Sequence, residues 1–578
     1  MRFGTPRLRP NPASLAREAV QQVLEEYRRC ARRPENVMQD FTMRYPLTLT
    51  HILERSAKLF AAKSIASCMP EGVHRYRYAD LHGRVHRLAH GLARLGIQRG
   101  DRVGTLCWNS YRHLELYFGV PCFGGVLHTL NLRLSKDQLI YIINHAQDRL
   151  IFVDSSLWPT LKEIKRALPD NCRFVVIKDE QSASKAETNM DYEELLSTSS
   201  DDLFAWPTLD EFTPAAMCYT SGTTGNSKGV IYTHRGVFLH SLALSMTDGF
   251  GLCERDTILQ AIPMFHANGW GIPYAAFLNG AGIVFSGRSL QPADIARLIE
   301  DEKVTFTAGV PTLWMGLHNL LQTQRYNLST LRTIFCAGAA LPAQLIESYE
   351  KNFGIRFLLG WGMTETTPIA TVNTLKRALD RLPEKDRYNV LARHGMPLPG
   401  IEVRIVDDNM HELPWDGLTM GELQVRGAWI TNGYYNDKRT EQAFTDGWFR
   451  TGDVATIDPE GYMQIMDRTK DLVKSGGEWI PSVELENAIM AHPDVVEAAI
   501  VAVSHPKWQE RPLAVVVPAP GKTTSILQRE INDMLASRFP KWWLPDDIVF
   551  IDALPKTSVG KFNKRALRER FRDYRLPL

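Results

Sequence analysis

The stretch Tyr219–Gly229, YTSGTTGNSKG, directly follows a short apolar run, Ala216–Tyr219. Gly222, Gly225 and Gly229 let the backbone come close to a ligand. Ser221, Thr223, Thr224 and Ser227 offer hydroxyls, and Lys228 adds a positive charge. Backbone N–H groups, hydroxyls and one cation are what gripping a polyphosphate requires. A Walker A loop needs G-x-x-x-x-G-K-[ST]. Here Ser227 precedes Lys228 and Gly229 follows it, so that spacing fails and a P-loop NTPase is disfavoured.

Outward from this loop, helical and strand-like patterns alternate over about residues 45–466. Helical periodicity marks Tyr78–Leu95 and Arg112–Phe123. Short apolar runs stand at Asp101–Leu106, Gly125–His128, Leu150–Val153, Phe174–Ile177 and Thr305–Gly309. Such alternation predicts an α/β fold, with β-sheets covered by helices. After Gly395, Glu402–Val406 and Gly421–Arg426 read as strands of a small β-subdomain. The charged run DRTKD at 467–471 sits between the strand-like Tyr462–Met466 and a Gly-Gly turn, and reads as a hinge. Beyond it, helical Ser482–Met490 and Ser525–Arg538 and strand-like Val495–Val503 and Arg511–Pro518 suffice for a small α+β domain. The expected organisation is an Arg-rich extension (1–40), a large domain (41–466), a hinge (467–471) and a small mobile C-terminal lid (472–578).

Composition narrows the function classes. The 578 residues are 44% hydrophobic and 23% charged, which is globular. Lys+Arg number 67 against 65 Asp+Glu, a net charge of +2, so nucleic-acid binding through phosphate neutralisation is disfavoured. Eight scattered cysteines without a C-x-x-C pair favour neither a disulfide scaffold nor structural zinc. The N-terminus lacks the apolar core of a signal peptide, and no S-K-L ending follows Arg575-Leu576-Pro577-Leu578, so the cytoplasm is the default. Residues 14–30 have amphipathic helical spacing, and a packed surface extension is favoured over a transit peptide. The window Ala261–Phe285 has no Asp, Glu, Lys or Arg, yet its Pro, Gly, His and Asn residues fit a buried strand, loop and helix better than a membrane span.

The loop Tyr219–Gly229 resembles the phosphate loop of the adenylate-forming enzymes: acyl-CoA synthetases, luciferases and adenylation domains of peptide synthetases. Four further motifs stand in the order this family has: GWGMTE (360–365), TGD (451–453), DRTKD (467–471) and PKTSVGK (555–561). The resemblance runs from about residue 45 to the end. It implies a carboxylate attacking the α-phosphate of ATP, with pyrophosphate leaving, and then a thiol displacing AMP from the acyl-adenylate. Both partners of the first step are anions, so charge must be neutralised and the reactants aligned.

The resemblance also implies roles. Thr220, Ser221, Gly222, Thr223, Thr224 and Lys228 would grip the phosphates. Glu365 would bind Mg²⁺, as a hard oxygen ligand suits, and Thr364 would donate to the α-phosphate. Gly338, Ala339 and Ala340 would line the adenine pocket, with Gly360 and Gly362 flanking Trp361. Trp361 stands where the family usually has Tyr, and its larger face can still stack on adenine. Asp453 would accept both ribose hydroxyls, and Arg468 would contact ribose or phosphate. Lys561 would bridge the attacking carboxylate and the α-phosphate. Lys470 is the position about which the small domain pivots. Lys474 matches a lysine of the adenylate or thiolation step, and Ser475, Gly476 and Gly477 would face the CoA pantetheine.

PMFHANGW at 263–270 resembles the version found in medium- and long-chain fatty-acid synthetases. His266 would gate the site, and Trp270, Tyr274, Val310, Trp314 and Met363 would line the acyl pocket. An apolar acyl chain suits a charge-free run, and no Asp between Ala261 and Gly282 is present to meet an α-ammonium. The expectation is a fatty-acid–CoA ligase using ATP, Mg²⁺ and coenzyme A. A carrier-protein thiol as acceptor and a non-catalytic binding protein are the alternatives, and the joint presence of Lys561, Glu365 and Asp453 argues against the second. Nucleic-acid partners are not expected, membrane contact is not required, and a homodimer is left open.

Overall fold

The computed structural model describes residues 43–179, 190–220, 226–339, 341–476, 478–556 and 562–576. The four sheets found among the described residues all lie within Pro46–Leu578. The helix expected within 14–30 lies outside the described residues.

Runs too apolar to expose either face pair in parallel. Leu150–Asp154 (LIFVD), Arg102–Leu106 and Val126–Thr129 lie side by side and almost wholly buried. Parallel strands covered on both faces have this near-continuous hydrophobic texture. They centre a seven-stranded sheet that ends in Pro214–Tyr219 and its antiparallel partner Gly229–Thr233. Tyr219 and Gly229 thus pair at the end of an edge hairpin.

A second, nine-stranded sheet carries Arg356–Gly362, Thr333–Cys336, Phe306–Gly309, Thr257–Gln260 and Gly282–Phe285 as its parallel centre. The helix Tyr111–Phe123 is buried on every face and packs on Leu49–Leu59 and Tyr78–Arg94. A helix hydrophobic all round belongs in a core. Truncating Leu116 there to Ala would cost about 2–5 kcal/mol. The window Ala261–Phe285 folds as a tight turn, the helix Ile272–Asn279 and the strand Gly282–Phe285. No helix among the described residues is long and apolar enough to cross a membrane.

A third sheet of five strands is antiparallel: Ile401–Val406, Gly421–Gly427, Trp448–Ile457, Phe444–Thr445 and Met463–Arg468. A fourth, also of five, pairs Val495–His505 with Gln509–Pro518 and adds Val473–Ser475, Glu478–Ile480 and Asp547–Phe550. Helices Ser482–Met490 and Thr524–Ala536 bury apolar faces beside that sheet. The charged run at 467–471 is less loop-like than its composition. The preceding strand continues through Arg468, with Val454 opposite Asp467 and Asp453 opposite Arg468. Asp467 is buried because its carboxylate accepts from the Ser482 N–H at 2.8 Å and from the Ser482 hydroxyl.

Candidate active site

The hairpin holds the ends of the phosphate loop. Thr220 N–H donates to the Lys228 carbonyl at 2.9 Å, and Lys228 N–H donates to Thr220 Oγ1 at 3.1 Å. Ser221, Gly222, Thr223 and Thr224 lie outside the described residues. The Lys228 ammonium stands 4.0 Å from the centre of the Tyr434 ring. Burial pulls its pKa down, and the nearby Glu365 carboxylate opposes that fall. Arg439, held by Asp437, donates to the Asn226 carbonyl at 3.0 Å.

The strand Arg356–Gly362 delivers the next group. A Cβ on Gly362 would come within 2.0 Å of the Pro368 carbonyl oxygen, so only glycine lets the returning chain approach. The turn Thr364–Thr366 follows immediately. Glu365 is 4% exposed, and its Oε1 accepts the Tyr434 hydroxyl at 2.8 Å. Its main-chain carbonyl accepts Thr431 N–H at 2.9 Å, and that of Thr364 accepts the Tyr232 hydroxyl at 2.8 Å. Trp361, in the same strand, is buried and donates its indole N–H to Asp453 Oδ2 at 2.8 Å. The other Asp453 oxygen meets Arg468 Nε, also at 2.8 Å. Lys228, Tyr434 and Glu365 therefore form one linked group, and Trp361, Asp453 and Arg468 another, joined through the strand Arg356–Gly362 and its following turn.

Gly338 and Ala339 follow the strand Thr333–Cys336, and Ala340 lies outside the described residues. His266 is half-buried and opens an unusual segment. Ala267, Asn268, Gly269, Trp270 and Gly271 all have positive φ, from 35° to 71°. Each L-residue in that conformation costs roughly 1–2 kcal/mol. Side chains impose it: Gln260 donates to the Gly269 carbonyl at 3.2 Å, and Asn268 to the Tyr274 hydroxyl at 3.2 Å. Trp270 and Tyr274 are buried in the main core, and Val310 and Met363 pack against it. Trp314 is not brought to them. It is fully buried in a second core with Leu317 and Ile346, where its carbonyl accepts the Tyr349 hydroxyl.

Lys470 is pulled down in pKa by burial. Lys474 is exposed, Ser475 is buried, and Gly477 and Lys561 lie outside the described residues. Tyr434, Arg439 and Tyr232 escaped the sequence reading. Only Gly433-Tyr434-Tyr435-Asn436-Asp437, a turn-like segment ending beside Arg439, could have drawn attention to the first two.

Among the described residues, one group of three metal-type ligands exists, Glu54, His82 and His86, on the helices Leu49–Leu59 and Tyr78–Arg94. His86 Nδ1 accepts from Phe204 N–H at 2.8 Å, so the neutral ring keeps its proton on Nε2. That proton faces Glu54 and His82, and the trio shares protons rather than presenting a ligand set.

The sequence signature of the family described as AMP-binding enzyme matches residues 53–435, and that of the AMP-binding enzyme C-terminal domain matches 484–561. A long-chain-fatty-acid–CoA ligase of Thermus thermophilus is 47% identical, over 93% of this chain and 98% of that protein. A 3-methylmercaptopropionyl-CoA ligase of Ruegeria pomeroyi is 41% identical (92% and 98% covered), and a medium-chain-fatty-acid–CoA ligase of Ectopseudomonas oleovorans 39% (92% and 97%). The ATP-bound crystal structure of MatB from Rhodopseudomonas palustris superposes with a TM-score of 0.79 at 29% identity, covering 92% of this chain and 99% of that one.

Proposed function

The chain belongs to the AMP-binding enzyme family and is an AMP-forming acid–CoA ligase, and from that premise we propose that its acid is a medium- or long-chain fatty acid. The ATP side of the site rests on the pair of buried carboxylates, Glu365 and Asp453, each held by a neutral donor and faced by a cation. In the proposed mechanism Lys228 and the loop N–H groups take the ATP phosphates. Asp453 takes the ribose hydroxyls, and the Trp361 face takes adenine. Glu365 is a buried, hard oxygen donor beside Lys228, which fits Mg²⁺. When bound there, Mg²⁺ supplies positive charge against the phosphates. Thr364 and Lys561 carry the charge of the reacting centre, where loss of one such contact costs roughly 10²–10³ in rate. Residues 469–471 then let the small domain turn about Lys470, bringing Lys474–Gly476 toward CoA. His266 gates the acyl end.

Three things support a fatty acyl group: the charge-free run Ala261–Phe285, the apolar company of Trp270, Tyr274, Val310 and Met363, and the relatives from Thermus and Ectopseudomonas. Trp314, buried elsewhere, is left out of the pocket. The test is incubation with ATP, Mg²⁺ and CoA across acids from acetate to oleate, with cinnamate and 3-methylmercaptopropionate included. Acyl-CoA and AMP are read by mass spectrometry. Turnover that peaks at medium or long chains is expected. A peak at a short or aromatic acid would overturn the substrate assignment.

A further inference from the structure

Arg511 is an arginine whose whole donor fork is used inside the small C-terminal domain. Nε donates to both Asp546 oxygens, at 2.9 and 3.0 Å, and Nη2 to Asp546 Oδ1 at 2.5 Å and the Leu544 carbonyl at 3.0 Å. Nη1 donates to the Trp542 carbonyl at 2.6 Å and to Ser475 Oγ at 3.1 Å. Both Arg511 and Ser475 are buried. A planar guanidinium filled this way fixes its partners in angle as well as distance.

The fork joins two segments far apart in sequence. One is Lys541-Trp542-Trp543-Leu544, whose paired tryptophans divide their labour. Trp543 lies against Phe539, ring centres 5.7 Å apart, and packs on the small-domain core. Trp542 turns outward and contributes its carbonyl to Arg511. The other segment is Lys474–Gly476. Lys474 N–H donates to Glu510 at 2.8 Å, and Gly476 N–H donates to the Trp508 carbonyl at 2.9 Å. Gly476 has φ of 60°, and a Cβ there would stand 2.8 Å from the Trp508 ring. Ladder pairing with Glu478 and Gln509 fixes the backbone of Ser475, and its hydroxyl accepts from Arg511, the side-chain bond that ties this segment to 541–544.

We propose that Arg511 is a positioning residue for the thioester-forming half-reaction, holding Ser475 and through it the turn Lys474–Gly476. This rests on the reading of that turn as the CoA-facing element. Arg511 acts through the turn and contributes nothing to adenylation, which uses other groups.

The test separates the half-reactions in the full-length enzyme. Adenylation is followed as acid-dependent ATP–pyrophosphate exchange, and thioester formation as CoA consumption of pre-formed acyl-adenylate. The variants are Arg511→Lys, which keeps the charge but loses the fork, and Asp546→Asn, which weakens the clamp on the guanidinium and leaves Ser475 in place. Both should leave exchange within about twofold of wild type and slow the thioester step, by up to about 100-fold for a group misplaced by an ångström. Collapse of the small domain would remove Lys561 and lower both half-reactions together, so equal loss in Asp546→Asn overturns the proposal. Thioester rates equal to wild type in both variants also overturn it. A wild-type enzyme that makes acyl-adenylate but no acyl-CoA would instead overturn the CoA reading, and the proposal with it.

Discussion

The indole N–H of Trp361 is hydrogen-bonded to Asp453 at 2.8 Å, so the residue expected to stack on adenine also aims the carboxylate expected to bind ribose. A tyrosine or phenylalanine at this position has no N–H in the same place. Trp361→Phe keeps an aromatic face and removes the donor. A hydrogen bond to a charged group is worth about 1.5–3 kcal/mol. KM for ATP should therefore rise about tenfold with kcat little changed, the pattern of lost ground-state binding. An ATP titration of initial rates checks this, and an unchanged KM would refute the shared role.

Tyr434 serves Glu365 with its hydroxyl and Lys228 with its ring. The two services separate on substitution. Tyr434→Phe should lower kcat/KM for ATP about tenfold through the lost hydroxyl. Tyr434→Leu should lower it a further two- to fivefold or so, as expected for a cation–π contact of about 0.5–1 kcal/mol. Equal kinetics for the two variants would mean that the ring does nothing for Lys228.

Lys470 stands two residues beyond the end of the strand Met463–Arg468, where the chain leaves its sheet. Lys470→Pro fixes φ there. Acid-dependent pyrophosphate exchange should survive within a fewfold, while acyl-CoA formation falls by at least about 100-fold, as for a loss of alignment. Parallel loss of both half-reactions would place the pivot elsewhere.

Buried histidines set an acid limit on stability. Burial pushes His113 and His240 down to about 3, and His234 and His394 down to about 4. Unfolded, they titrate near 6.5. Between those values the unfolded chain binds the protons. Each histidine's contribution is therefore full above about pH 6.5 and is lost on acidification, by up to about 1.4 kcal/mol per pH unit. Asp154 and Glu486, pushed up to about 7 by burial, act oppositely, their contribution falling as pH rises toward 7. With four groups against two, Tm should fall from pH 6.5 to 4.5, and His240→Gln should flatten the slope. A Tm that held steady or rose over that interval would contradict the sign.

Local patterns carried most of the fold. LIFVD, TIFC and VLHT are buried strands because apolar residues dominate them, and the helix Tyr111–Phe123 begins one residue before its periodicity suggests. The hinge composition misled locally. Asp467 and Arg468 look solvated in a charged run, yet each finds a distant partner, Ser482 and Asp453, and the strand extends to reach them. Trp314 lies in the second core, with Leu317 and Ile346. Apolar residues spaced along Pro311–Thr323 look alike in sequence, and only the packing of Tyr349 shows which face meets which core. Tyr434 and Arg511 were invisible because their partners lie tens of residues away or more, and no spacing announces a long-range hydrogen bond.

The five positive-φ residues at 267–271 restrict how this protein can change. β-Branched and bulky side chains rarely occupy that backbone, and a Cβ on Gly271 would meet the His240 ring at 2.6 Å. A library randomised there would sample mostly misfolded chains, however well a new side chain fitted the acid. Val310 and Met363 stand on ordinary extended backbone, at φ of −91° and −148°. In the proposed acyl pocket, new preferences are open to selection at those two positions, while the segment beside His266 stays as it is.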